Sequence, residues 1–468
     1  MRKCMTLKST LLILAVLLTN VMFCPAGQAD FGELSRAVLK GGCSKVNITP
    51  PLGIPLIGSY GKPSDDILDE LYAKALVLND GTNTVAIVSA DLLYTPLEEI
   101  TNPVRGIIKE KIGIPEQNIL VCATHTHSGP EVFTRTKVPR EGRLPASQID
   151  QSYLATLIKK IAGSVFMAHK NMGAVRIGAA KGEIPEIVYN RRLKSADGSV
   201  RMAFTLAPEV TATRRIETGP KGSVKVTFAL GPEEPELVFG PVDPEVWVLR
   251  VEDMDGVIIG SLVNFGCHPV CIYPSLSTSI SADYPSYATQ AVEQMEGGIC
   301  LFTLGLAGNT VPIQRGVKPR QQIGKALGGE ALRRLQLIPT TERVTLKALK
   351  KEIKFPTKKA ALPNGSTDND RTPDYVTTEI QVLKLGDIYI LGLPGEILVE
   401  VGLQIKKRAG LENLFIVTLS NDAVGYVCHS QAYEEGGYEP GSGTNLAKGA
   451  GEIMIKQALG LINEIKPR

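Results

Sequence analysis

The chain has 468 residues, 43% of them hydrophobic and 21% charged, with a formal net charge of +3. That composition is globular, supplies a sizeable core, and excludes both a disordered chain and a strongly basic nucleic-acid binder. Eight cysteines in so long a chain also exclude a disulfide-framework protein.

In chain order, residues 1–29 read as a secretory signal. Arg2, Lys3 and Lys8 precede an apolar stretch from Leu11 to Phe23, and Gly27-Gln28-Ala29 offers a small-x-small cleavage site before Asp30. The stretch is too short to span a bilayer. The expected localisation is therefore secreted or periplasmic, with no transmembrane span. Lipid attachment at Cys24 is disfavoured because Val21-Met22-Phe23 lacks the small residues it needs. Removal of the three basic residues brings the formal charge to zero, and residues 30–468 are expected to form one large domain.

Leu76 to Leu78, Asp80-Gly81 and Thr84 to Ser89 read as a hairpin. Asp91 follows it, either as a turn cap or as a carboxylate that orients a ligand histidine. The apolar run Ile119 to Ala123 reads as a buried strand opening into Thr124-His125-Thr126-His127-Ser128-Gly129-Pro130, which holds two of the chain's five histidines. Alternation at period two would send His125 and His127 to the same side of the strand end, a metal or acid–base geometry. For H-x-H alone, a merely polar strand end is the competing reading.

Gln151 to Lys170 is expected to be a helix, with His169 at its Lys-rich end. Val246 to Val251, a turn at Asp255-Gly256, and Val257 to Phe265 form a second hairpin, ending at Gly266-Cys267-His268-Pro269. Asp283 is the expected cap of a helix through Met295, with Pro285 in its first turn. Ile299 to Leu304 is a strand entering Gly305-Leu306-Ala307-Gly308-Asn309.

A basic run at Lys347, Lys350, Lys351, Lys354, Lys358 and Lys359 reads as a solvated strand face and loop, with peripheral contact to an anionic surface as the alternative. Lys354 to Tyr375 reads as a long exposed loop. Ile380 to Leu385 and Ile388 to Leu393 form a third hairpin, ending at Pro394-Gly395-Glu396 before a helix from Ile397 to Arg408 that Gly410 stops. Leu414 to Leu419 is the last strand, opening toward Asn421 and Tyr426, with His429 as a candidate cleft residue.

This alternation predicts an α/β fold of layered mixed sheets flanked by helices. Of the six cysteines beyond the signal, Cys122 and Cys300 sit in strand-like runs as buried thiols, and one or two disulfides are compatible with an oxidising compartment. Cys267 and Cys271 flank His268, but no second pair completes a structural zinc site. Three separate strand ends carry a potential metal ligand: His125 with His127, His268, and Glu396. Two imidazoles and a carboxylate are the donor set of many hydrolytic zinc sites.

The motifs T-H-T-H-S-G-P, the H-P at His268, L-P-G-E ending at Glu396, and N-x-x-x-x-Y from Asn421 to Tyr426 occur in the order found in one known family. From about Cys43 to the C-terminus the chain resembles the catalytic domain of the neutral/alkaline non-lysosomal ceramidases. That resemblance implies a zinc ion (Zn2+) held by His125, His268, Glu396 and Tyr426, with His127 as an acid–base group beside it. Asn190-Arg191 matches the family's N-R pair, whose arginine faces the reacting carbonyl.

One departure stands out. Where the family has G-D-V-S-P-N, with a serine proposed to act in catalysis, this chain has Gly308-Asn309-Thr310-Val311-Pro312-Ile313. Val311 takes the serine position, which excludes a serine-dependent route unless a different register brings in the Thr310 hydroxyl. The expected function is a zinc-dependent hydrolase of an amide-type bond in a small-molecule or lipid-like substrate. The alternatives are a hydrolase of another ester or amide, such as a cell-envelope or glycan fragment, and a non-catalytic metal-bearing binding protein.

Overall fold

Along the strand Ile119–Ala123 the side chains sort to two sides: Ile119, Val121 and Ala123 join one core, Leu120 and Cys122 another. A strand buried on both faces must read as an unbroken apolar run, and this one does. The computed structural model describes residues 38–57, 59, 61–132, 149–231, 237–358 and 373–466. The signal-like segment and most of the Lys354–Tyr375 stretch lie outside the described residues. Among the described residues no helix is long and apolar enough to cross a membrane.

Ile119–Ala123 is the edge of an eight-stranded mixed sheet. From the opposite edge its order is Ile299–Leu304, Ile258–Phe265, Glu245–Asp253, Gly173–Glu183, Lys40–Asn47, Tyr72–Asn79, Thr84–Ala90 and Ile119–Ala123. A second sheet of four strands runs Leu346–Pro356, Tyr375–Leu385, Ile388–Gly392 and Leu414–Val417. Leu76, Leu120, Trp247 and Leu262 from the first sheet pack against Leu383, Ile390 and Phe415 from the second, and the Trp247 and Phe415 rings lie 5.0 Å apart. The outer face of the large sheet carries Gln151–Lys170, Asp283–Glu296 and Val317–Leu335, and that of the small sheet carries Val399–Ala409 and Ala450–Ile465. The result is helix, sheet, sheet, helix, each layer hiding the apolar face of its neighbour. The α/β expectation is thus borne out.

Most local expectations hold with small shifts, but Asp283 is the first residue of Asp283–Glu296 and Ala282 takes the cap position, with no side-chain cap bond. The hairpins form, with Asn79 opposite Thr84, and the helix Gln151–Lys170 starts on the Asp150 carboxylate, which accepts from the Tyr153 amide at 2.8 Å. Gly410 ends Val399–Ala409 in the left-handed region at φ 58°. The two strands flanking the expected exposed loop reach further than the sequence suggested, to Pro356 and back from Tyr375. The described cysteines Cys43, Cys122, Cys267, Cys271, Cys300 and Cys428 are all buried free thiols, so the disulfide option is not taken up. Lys347, Lys350, Lys351 and Lys354 of the basic run lie on the edge strand Leu346–Pro356, where Lys350 pairs with Glu379 at 3.0 Å; Lys358, past its end, donates to the Pro440, Gly441 and Thr444 carbonyls, and Lys359 lies outside the described residues.

What positions the site is the parallel pairing at one end of both sheets. Thr84–Ala90 runs parallel to Ile119–Ala123, Ile258–Phe265 to Ile299–Leu304, and Ile388–Gly392 to Leu414–Val417. The sheets are stitched together there: Asn421 donates its amide to the Val121 carbonyl (2.7 Å), accepts the Val121 amide on Oδ1 (3.0 Å), and donates from Nδ2 to Gln381 (2.7 Å). The loops leaving these carboxyl ends converge, as such ends do in α/β sheets.

Candidate metal centre

His125 does not follow the strand alternation the sequence suggested. The strand stops at Ala123, and His125 sits in the left-handed region at φ 72°, a conformation uncommon for a residue with a β-carbon. The turn nevertheless brings the two imidazoles of the motif together, with Nε2 of His127 3.4 Å from Nε2 of His125. His268 arrives from the loop after Ile258–Phe265. Glu396 comes from the loop after Ile388–Gly392, where it heads a two-residue parallel ladder with Tyr426–Val427 and is paired with Tyr426 itself. His125, His127, His268, Glu396 and Tyr426 therefore meet in one place, with Arg191 against Tyr426.

The tautomers follow from the partners. Nδ1 of His125 faces the Leu93 carbonyl at 3.0 Å, and Nδ1 of His268 faces the carbonyls of Ala307 and Thr310. A carbonyl only accepts, so each Nδ1 carries a hydrogen, and in the neutral form of each ring Nε2 presents its lone pair. Both lone pairs point at one carboxylate oxygen: Oε2 of Glu396 is 3.3 Å from Nε2 of His125 and 3.1 Å from Nε2 of His268. Burial and Arg191 push the His268 imidazole down to about 4, so it is neutral at physiological pH. Three acceptors without a hydrogen between them are mutually repulsive unless a cation joins them.

The spacing suits such a cation. A tetrahedral zinc with ligand bonds of about 2.0–2.1 Å separates its ligand atoms by about 3.3–3.4 Å, and three of the six edges here measure 3.1, 3.3 and 3.4 Å. The Tyr426 hydroxyl lies 3.4 Å from Nε2 of His268. Burial and Glu396 push its phenol well above the ordinary value, with Arg191 opposing. His125, His127 and His268 also form a cluster whose ligand atoms lie within 4.8 Å of one another. Counting Glu396 and Tyr426, the site has one donor more than a tetrahedral ion takes. His127 differs from the others: it is only half-buried, and its ring packs on Tyr273 at 5.2 Å. Burial above all holds it well below its ordinary value, so it is neutral.

Arg191 is buried beside this cluster. Its Nε donates to Glu439 (2.8 Å), and its Nη2 to the Gly308 carbonyl (3.0 Å) and the Tyr426 hydroxyl (3.1 Å). Its Nη1 has no hydrogen-bond partner among the described residues. Burial works against its charge, but Tyr426 and Glu439 outweigh it and raise its value.

Three sequence candidates play other parts. Asp91 does not orient a histidine; its carboxylate accepts from the Tyr72 amide (2.8 Å) and the Thr124 hydroxyl (3.1 Å). His429 caps the short helix Ser430–Glu435, accepting from the Ala432 amide at 3.2 Å. Thr310 does not stand in for the family serine, because its hydroxyl donates to the Gly266 and Leu306 carbonyls (2.9 and 3.2 Å), while Val311 is fully buried. The sequence reading missed Tyr94, whose hydroxyl donates to Oε1 of Glu396 at 3.1 Å, and Glu439. Tyr94 lies just past the carboxyl end of Thr84–Ala90, the same position in the fold that nominated the histidines.

Residues 41–200 match the family model described as neutral/alkaline non-lysosomal ceramidase, N-terminal. Two solved structures share the fold. The neutral ceramidase from Pseudomonas aeruginosa is 17% identical with a TM-score of 0.69, covering 92% of this chain and 76% of that one. A ceramidase complexed with C2 is 18% identical with a TM-score of 0.68 and the same coverage.

Proposed function

With the resemblance to the neutral/alkaline non-lysosomal ceramidase family shown by the motifs, the matched residues and the shared fold, we propose that this protein is an exported, zinc-dependent hydrolase of an amide-type bond. The observation that carries the reading is the meeting of Nε2 of His125 and Nε2 of His268 on Oε2 of Glu396, at 3.3 and 3.1 Å, while Nδ1 of each ring faces a backbone carbonyl. His125, His268, Glu396 and Tyr426 would hold the ion. When bound, zinc supplies Lewis acidity, polarising a carbonyl and lowering the pKa of water toward ~7.

The chain's own residues do the rest. Nη1 of Arg191 donates to the carbonyl oxygen as negative charge builds on it. His127, neutral and within reach of His125, takes a proton from the attacking water and returns it to the leaving amine. Tyr94 and the carbonyls of Leu93, Ala307 and Thr310 fix the orientation of the ligands. No serine is required. Val311 at the family's serine position favours a substrate other than ceramide, and so supports a second reading in which the same chemistry acts on a different amide or ester. The signal-like N-terminus supports export.

The test is turnover of a panel of N-acyl amides and esters, short-chain ceramide included, by metal-stripped and zinc-reloaded protein. Zinc-dependent amide cleavage is expected. Stoichiometric zinc with no turnover of any panel member would make the protein a binder instead.

A further inference from the structure

Arg191 and Arg192 are adjacent in sequence and both buried, at 4% and 3% exposure. Two guanidinium groups held out of water side by side require compensation. It comes from Glu439, which is fully buried and whose two oxygens are divided between them: Oε1 accepts from Nε of Arg191 and Oε2 from Nη1 of Arg192, each at 2.8 Å. Arg192 is further fixed by Glu435 (3.3 Å) and the Gly436 carbonyl (2.9 Å), and Lys194 also bonds Glu435. Gly437 is required here, since a β-carbon would stand 2.9 Å from Nη1 of Arg192.

This arrangement fixes both the direction and the charge of Arg191. With Nε taken by Glu439 and Nη2 by Gly308 and Tyr426, the planar guanidinium has one orientation, and Nη1 is the edge left over. The Phe204, Tyr426 and Tyr438 rings lie 5.2, 5.6 and 5.7 Å from its central carbon and restrict it further. The cluster sets three cations, Arg191, Arg192 and Lys194, against two carboxylates, Glu435 and Glu439. The excess positive charge is available to a developing anion.

We propose that Glu439 is a positioning residue: by clamping Arg191 against the anchored Arg192 it aims Nη1 of Arg191 at the reacting carbonyl oxygen. The inference rests on the reading that Arg191 faces that oxygen, and the experiment separates the two. Zinc-loaded parent, Arg191→Lys, Glu439→Gln, Glu439→Asp and the double variant Arg191→Lys/Glu439→Gln are titrated with a short-chain alkylphosphonate, an anionic tetrahedral mimic of the attacked carbonyl. Zinc content, thermal unfolding, kcat and KM are measured alongside.

Arg191→Lys and Glu439→Gln are each expected to weaken phosphonate binding by about 10–100-fold and to lower kcat with little change in KM. The double variant should be no weaker than either single one, because both changes remove the same donor. Glu439→Asp should recover part of the loss, and zinc content should stay at the parent level throughout. Parent-like binding by Glu439→Gln while Arg191→Lys is weakened overturns the role of Glu439 alone. Parent-like binding by Arg191→Lys overturns the reading of Arg191, and this inference with it. Additive losses, or zinc loss in Glu439→Gln, would mean that Glu439 acts by another route. If Glu439→Gln fails to fold, Glu439→Asp decides, and parent-like binding by that variant contradicts the proposal.

Discussion

Glu396 and Tyr426 are register partners in a parallel ladder only two residues long, so a carboxylate and a phenol from different loops are set side by side by backbone hydrogen bonds. The amide of Glu396 donates to the Gly425 carbonyl at 2.9 Å. Gly395 makes the turn, at φ 108°, and a β-carbon there would stand 2.6 Å from the Gly425 oxygen. The pairing is thus fixed before any ion arrives.

Oε1 of Glu396 is held by the Tyr94 hydroxyl. Tyr94→Phe removes that bond while keeping the ring, which packs on His125 with centroids 5.7 Å apart. Zinc affinity is expected to fall about 10–100-fold, the usual cost of losing a partner that orients a ligand. Competition with a chelator measures it, and an unchanged affinity would show that the ladder alone orients Glu396.

The two histidines of the T-H-T-H motif should fail differently. His125→Ala is expected to lose zinc and activity together. His127→Ala should keep zinc and lower kcat by roughly 10²–10⁴, the worth of a positioned acid–base group. Elemental analysis and kinetics on the same preparations decide, and equal zinc loss in both would make His127 a ligand.

Thr310→Val tests whether the hydroxyl nearest the family's serine position has any chemistry. It is spent on two backbone carbonyls, so kcat should change no more than a few-fold while stability falls by about 1 kcal/mol. A loss of several orders of magnitude in a folded variant would give Thr310 a role in the reaction.

How far these parts could be read from sequence depended on what each group leaves in it. His125, His268 and Glu396 are legible because each stands just beyond a mostly apolar strand-like run, unbroken before His125 and interrupted by Ser261 and Asn264 before His268. Period-two alternation is not what brings His125 and His127 together, since the chain leaves strand geometry after Ala123 and a positive φ makes the approach. The Leu93, Ala307 and Thr310 carbonyls, which set the tautomers, have no sequence signature at all. Asp91 stays open in the sequence because a strand-end carboxylate looks the same whether it meets a histidine or a backbone amide. The packing of one sheet on the other, as at Trp247 and Phe415, was unreadable because periodicity shows that a face is apolar without saying which face it meets.

Asp91 provides a pH test of the interior. Burial pushes its carboxyl up to about 6, against the bonds from Tyr72 and Thr124 and the charge of Lys74. Its folded value lies above the unfolded one, near 3.9. Its contribution to stability is therefore full below about pH 4 and is lost as the pH rises through about 6. Asp91→Asn can keep both partners without the charge. It is expected to stabilise the protein by on the order of 1–3 kcal/mol at about pH 8, and by much less at about pH 4. Urea unfolding at the two pH values measures this, and an equal effect at both would contradict the assignment.

The central claim is that His125, His268, Glu396 and Tyr426 hold one zinc ion, and metal content tests it most directly. Parent protein and His268→Ala are stripped, reloaded with zinc, freed of excess metal and measured for bound zinc per chain, with thermal unfolding confirming that the variant is folded. The expected result is about one zinc per chain in the parent and almost none in the variant. Full zinc in folded His268→Ala, or none in the reloaded parent, would contradict it.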